Sequence, residues 1–326
     1  TRYGAISKSE VKVVLEFKRK QLFMAISGLD CASKKRLHHY RRHLTADKDP
    51  MIFDDRMRDL LMQLVVKPGD LQSTIEYLDG MGFSQSKYEY SKIVQQLERF
   101  SDQNHLYFGW NKHFKDAKKA MIDEVSSWNC STVKYDSYNI SEYIPKLSTH
   151  AGFSFIVTGN RRKKDYVDGM FGNYRCEEQE ALANGTFGKP ILLGSRTQAS
   201  GAFDIHTGER TGTFKSKTRL VSMIDINVIM AERKFQHPIQ PFLSNAPWYA
   251  GGKNDVDIAG QLKWLKNEYG NWVSIDYSSY DQSISDWLIH EAFDVVKAMF
   301  GHMSAEDLRL FEVVKHDFIS KMFVSG

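Results

Sequence analysis

The sequence predicts an α+β protein, mostly helical with short strands. Apolar residues recur at three- and four-residue spacing along most of the chain, while strand-like runs are few and brief. Of the 326 residues, 42% are hydrophobic and 13% aromatic, enough for a sizeable core and too many for a disordered or low-complexity chain.

In chain order, residues 9–29 put Val11, Val14, Leu15, Phe17, Leu22 and Ile26 at helical spacing, with Gly28 near the end. Residues 51–66 repeat the pattern through Met51, Met57, Leu60, Leu61, Leu64 and Val65 and stop before Pro68-Gly69. Helices are also expected over 88–100 and 112–125. Residues 152–158 (GFSFIVT) read as a short strand. The stretch 159–214, rich in Gly, Thr, Ser and Arg, reads as long loops with short strands such as Pro190-Ile191-Leu192-Leu193, and loops of that length are often functional. After Pro238, Pro241 and Pro247, Gly251-Gly252 marks a break, and a helix is expected over 256–269. Trp272-Val273-Ser274-Ile275 reads as a strand ending at Asp276. The helix after it carries Ile284, Leu288, Ala292, Val295 and Met299 on one stripe. Ser304-Ala305-Glu306-Asp307 supplies capping residues for a last helix through about Phe318.

The net charge of +4 hides an uneven distribution. Residues 1–50 hold 12 Lys+Arg against 5 Asp+Glu, and the rest of the chain is net acidic. A second basic region runs over 161–219, from Arg161-Arg162-Lys163-Lys164 to Lys215, Lys217 and Arg219. Such clusters usually mean a solvated face, and two separated ones in one chain raise the chance of a polyanionic partner. No apolar run reaches the length of a membrane span. The start, Thr1-Arg2-Tyr3-Gly4, shows no secretory signal, so the sequons at Asn129, Asn139 and Asn184 are discounted. Cys31, Cys130 and Cys176 are too far apart for a disulfide framework or a CxxC clamp and suit reduced thiols inside a cell.

Two apparent motifs fail. Gly185-Thr186-Phe187-Gly188-Lys189-Pro190 has its first glycine too close for a phosphate loop, and Pro190 replaces the hydroxyl residue that would meet magnesium. His38, His39 and His43 lack the acid of a zincin helix and read as a solvated basic face.

One constellation holds. In Ser274-Ile275-Asp276-Tyr277-Ser278-Ser279-Tyr280-Asp281-Gln282 a strand end delivers one carboxylate, and a second follows five residues later. A carboxylate on a rigid strand end, with the next backbone carbonyl beside it, suits a divalent metal. By spacing alone the pair also suits a helix N-cap and a surface acid. In Lys215-Ser216-Lys217-Thr218-Arg219, a strand period of two turns the cations of Lys-x-Arg to one side, and two converging cations suit a triphosphate.

The order Lys217-x-Arg219-Leu-Val, Glu232-x-x-Phe235, Asp276-Tyr-Ser-Ser-Tyr-Asp281-Gln and Ser325-Gly326 resembles motifs F and A and the start of motif B of viral RNA-dependent RNA polymerases. The nearest flavour is that of double-stranded RNA viruses of the picobirnavirus and partitivirus type. The likeness is specific from about residue 215 onward and general before it. It implies a right-hand polymerase fold: a basic helical extension over 1–50, fingers with fingertips over 51–265 (motif F at about 215–235), and a palm/fingers segment over 266–326.

It further implies that Asp276 is catalytic and, with the Tyr277 carbonyl, binds metal. Lys215, Lys217 and Arg219 would grip the nucleotide triphosphate, Asp281 its ribose 2′-hydroxyl, and Ser325 and Gly326 would begin the loop by the nascent base pair. Glu232 would support the basic strand by pairing with a neighbouring cation. The implied cofactor is Mg2+ or Mn2+, in a two-metal site completed by a motif C acid. No Gly-Asp-Asp or equivalent follows before Gly326, so motif C and the thumb are expected outside this chain, which should not polymerise by itself. Implied partners are RNA template and product duplex, ribonucleoside triphosphates, the C-terminal palm and thumb, and the viral capsid. The implied location is the virion interior or host cytoplasm. The alternatives are a non-catalytic RNA-binding or capsid-associated protein, and a reverse transcriptase, which Asp281 disfavours.

Overall fold

The computed structural model describes residues 26–45, 90–99, 107–200, 215–270, 273, 280 and 284–324. The helix expected over 51–66, the strand at 272–276, and most of the helix over 9–29 lie outside these residues.

The described helices are α1 (Cys31–Thr45), α2 (Tyr90–Arg99), α3 (Lys112–Val125), α4 (Ser154–Thr158), α5 (Met170–Asn184), α6 (Ile226–Asn245), α7 (Asp255–Glu268), α8 (Asp286–Ala298) and α9 (Ala305–Ile319). The strands are β1 (Ile191–Ser200), β2 (Lys215–Met223) and β3 (Phe323–Val324). They form one sheet of order β2-β1-β3, antiparallel on one side of β1 and parallel on the other.

Local chemistry explains most helix starts. The side chains of Asn111, Asp225, Asn254, Ser285 and Ser304 accept amide protons from the first turns of α3, α6, α7, α8 and α9, satisfying donors with no partner inside the helix. The main core lies where α5, α6, α8 and α9 meet, around Tyr174, Met230, Phe235, Leu310 and Phe311. Phe235 stands edge-to-face with both Phe300 and Phe311.

Two sequence expectations are corrected. Residues 154–158 are helical rather than extended. The apolar, β-branched run favours a strand locally, but tertiary partners take both ends of the helix. Asp225 accepts hydrogen bonds from the Ser154 amide (2.6 Å) and hydroxyl (2.7 Å), and Arg36 donates to the carbonyls of Ile156 and Val157.

Inside 159–214 lies a fifteen-residue helix, α5. Its buried stripe is Met170, Tyr174, Glu178 and Ala181, so a glutamate occupies a position where an apolar residue would have shown the period. Helix α6 runs through Pro238 and Pro241 to Asn245, ahead of the turn at Gly251-Gly252. Proline at 238 leaves the Lys234 carbonyl without its helical donor, and the Val133 amide fills the gap at 3.1 Å.

Candidate nucleotide and RNA site

The β1–β2 ladder pairs Gln198 with Lys217, Thr197 with Thr218 and Arg196 with Arg219. Positions 215, 217, 219 and 196 therefore share one face of the ladder. Arg219 is exposed. At its base the same face is apolar, with Leu192, Met223 and Val324 packing on Leu37, Phe153 and Ile156. The opposite face buries Leu193 against Ile93. Leu220 donates its amide to Gln96 at 3.1 Å, and Tyr40 donates to the Leu193 carbonyl. The sheet is thus gripped at one end, and the basic part of β2 extends from a fixed base.

Val324 pairs with Leu192, which pairs with Met223, so the chain enters Ser325 from a strand in the same sheet as Arg219. Asp276, Tyr277, Asp281, Ser325 and Gly326 lie outside the described residues, as do the side chains of Arg196, Lys215 and Lys217.

Glu232 faces a crevice between α6, the 186–189 turn and the end of α9, lined also by His316, Asp317, Ser320 and Lys321. Burial pushes its carboxyl above the ordinary range, Lys321 opposes that and Asp317 adds to it. Burial in turn lowers the Lys321 ammonium, with Glu232 pulling it back. Among the described residues, the cation beside Glu232 is Lys321, at the approach to β3. Across the turn, Asp317 accepts from the Thr186 hydroxyl and from the Phe187 amide at 2.8 Å. The glycine-rich 185–190 segment is thus bound to a carboxylate of its own chain, which agrees with its exclusion as a phosphate loop.

Other polar residues escaped the sequence reading. Asp225 joins the Ser154 turn to the start of α6 by accepting also from the Asn227 amide at 3.0 Å. The turn needs Gly152, at φ +77, because a Cβ there would stand 2.4 Å from the Ile224 carbonyl oxygen. A charged network links the helices behind the sheet. Lys234 lies 2.8 Å from Glu178, which also accepts a hydrogen bond from the Tyr174 hydroxyl and pairs with Arg175. Asp307 accepts from Thr132, Lys134 and Ser304. Burial pushes its carboxyl up, and the bonds from Lys134, Ser304 and Thr132 more than reverse this, holding it below the usual carboxylate range.

Lys163, one of four cations in the 161–164 run, is buried. Its ammonium is lowered by burial and by Lys146 and Arg233. Nothing in that run marks which cation turns inward. The 147–149 turn selects it, through the Thr149 and Leu147 carbonyls, which accept from the amides of residues 163 and 164.

Among the described residues no group of three or more His, Cys, Asp or Glu side chains could hold a metal ion, and no helix is long and apolar enough to cross a membrane. Cys31, Cys130 and Cys176 are free thiols. The family model described as viral RNA-dependent RNA polymerase matches residues 66–325. Comparison with curated proteins finds no match.

Proposed function

From the premise that the chain belongs to the viral RNA-dependent RNA polymerase family, we propose that it contributes the fingers and the first palm elements of a polymerase that joins ribonucleoside triphosphates to an RNA 3′-hydroxyl. The observation that supports this placement best is the ladder register, with exposed Arg219 opposite Arg196 and Lys215 and Lys217 at alternate positions of one strand. A cationic ladder fixed at one end suits a triphosphate, because its geometry is set before the ligand arrives.

In this reading Arg219, Lys217 and Lys215 hold the triphosphate, and Asp281 accepts a hydrogen bond from the ribose 2′-hydroxyl. Glu232 steadies the approach to β3 through Lys321, and Ser325 and Gly326 lie by the nascent pair. Asp276 and the Tyr277 carbonyl are hard oxygen donors of the kind Mg2+ or Mn2+ takes, with a further acid supplied from motif C. Bound there, two such ions would stabilise charge on the attacking and leaving oxygens. The residues themselves supply alignment and charge neutralisation, and no covalent intermediate with the protein is needed. The polymerase reads as one from a double-stranded RNA virus of the picobirnavirus and partitivirus type, copying its genome within a capsid or the host cytoplasm together with its remaining palm and thumb.

The test is template-directed extension by the full-length polymerase. Asp276→Asn should abolish incorporation and leave RNA binding largely intact, and continued synthesis would reject the metal-ligand assignment.

A further inference from the structure

Helix α1 divides its residues cleanly by side. Ser33 and Leu37 are buried and Tyr40 half-buried. Arg36 turns inward to cap α4 through the carbonyls of Ile156 and Val157. At 3.6 residues per turn, Lys34, Lys35, His38, His39, Arg41 and Arg42 fall within about 160° of arc on the other side. All six are exposed.

The fifteen residues of α1 contain no acid. Asp30, just before the helix, is engaged by the Ser33 amide at 2.6 Å. A surface that serves only for solvation normally mixes both signs, as α7 does with Asp255, Asp257, Lys263, Lys266 and Glu268. Here Lys34, Lys35, Arg41 and Arg42 place four exposed cations on one side of the helix, a concentration of one sign that attracts a polyanion. Leu37 also joins Leu192, Met223 and Val324 in one cluster, so the helix is anchored to the base of the cationic face of the β1–β2 ladder.

We propose that the outward face of α1 is a contact surface for the phosphate backbone of single-stranded RNA, electrostatic and indifferent to base sequence. The choice of RNA as the polyanion rests on the polymerase reading. A bilayer is the poorer fit, because the apolar side of this helix is already buried against protein.

The experiment is fluorescence anisotropy of a labelled single-stranded RNA oligonucleotide with the whole chain over a salt series. Each phosphate contact on a single strand contributes about 0.7 to the slope of log affinity against log salt, so Lys34→Gln/Lys35→Gln should make the slope shallower by about 1.4. Lys34→Arg/Lys35→Arg should keep the parent slope, which separates lost charge from a damaged fold. Lys263→Gln/Lys266→Gln on α7 is the control and should change nothing. The inference is overturned by an unchanged slope in the α1 glutamine variant, or by equal losses in the α1 and α7 variants. It is overturned equally if that variant loses binding to phosphatidylserine vesicles but not to RNA. Incorporation by the full-length polymerase is scored separately. Synthesis that survives Asp276→Asn would sink the catalytic assignment without touching the α1 slope, and an unchanged slope would sink only the α1 surface.

Discussion

Replacing Lys234 by methionine probes the charged network behind the sheet. The Lys234 ammonium lies 2.8 Å from Glu178 and 3.8 Å from Asp307, and the side chains of Lys234, Glu178 and Asp307 are 8%, 1% and 4% exposed. Methionine keeps most of the volume, so the change acts through charge. Removing one partner of a buried pair typically costs about 3–5 kcal/mol, because the other charge stays desolvated. Here Glu178 keeps Tyr174 and Arg175 and Asp307 keeps Lys134, which points to the lower end, about 3 kcal/mol. At about 2 °C per kcal/mol for a chain of this size, the melting temperature should fall by about 6 °C. Calorimetry and urea unfolding measure it. Adding Glu178→Gln should recover part of the loss by neutralising the stranded carboxylate. A Lys234→Met variant that melts within about 2 °C of the parent, or a second substitution that deepens the loss, would refute the reasoning.

Gly152→Ala should destabilise by about 2 kcal/mol or more, since the new Cβ meets backbone on a residue at positive φ; an unchanged unfolding midpoint would mean the turn can relax. Burial and then Arg161 lower His150 to about 4, so the unfolded chain binds more protons between pH 6.5 and 4, and stability should fall as the pH drops through that window. His150→Asn should flatten that part of the pH–stability curve, and a curve of unchanged slope would count against the assignment. In the full-length polymerase, Arg219→Ala should raise KM for all four nucleotides alike, and a base-selective effect would contradict a phosphate role. Asp281→Ala should reduce discrimination against deoxynucleotides, as measured by competition between the two sugars; unchanged selectivity would remove Asp281 from the ribose site.

How legible the fold was in the sequence depended on whether local and tertiary forces agreed. The helix expected over 112–125 is Lys112–Val125, because its apolar period and the Asn111 cap point the same way. The Ser304 cap and α9 were equally readable. Residues 154–158 misled because their helix is held by Asp225 and Arg36, 71 and 120 residues away from the groups they bind. α5 stayed hidden because buried Glu178 is neutralised by Lys234, a pairing that exists only after folding. In the candidate site the period of β2 showed the alternation of 215, 217 and 219. Only the ladder register revealed Arg196 across from Arg219, and only packing revealed Lys321 beside Glu232.

Pro238 has a consequence for how α6 holds its neighbours. A helix normally keeps its carbonyls to itself and offers a passing segment little but side chains. The missing donor at position 238 leaves one main-chain oxygen to be shared, and the 133 segment takes it. Swapping that proline for alanine would make α6 a better helix in isolation and a worse host for residue 133, so a residue usually regarded as an interruption serves here as a fastening point.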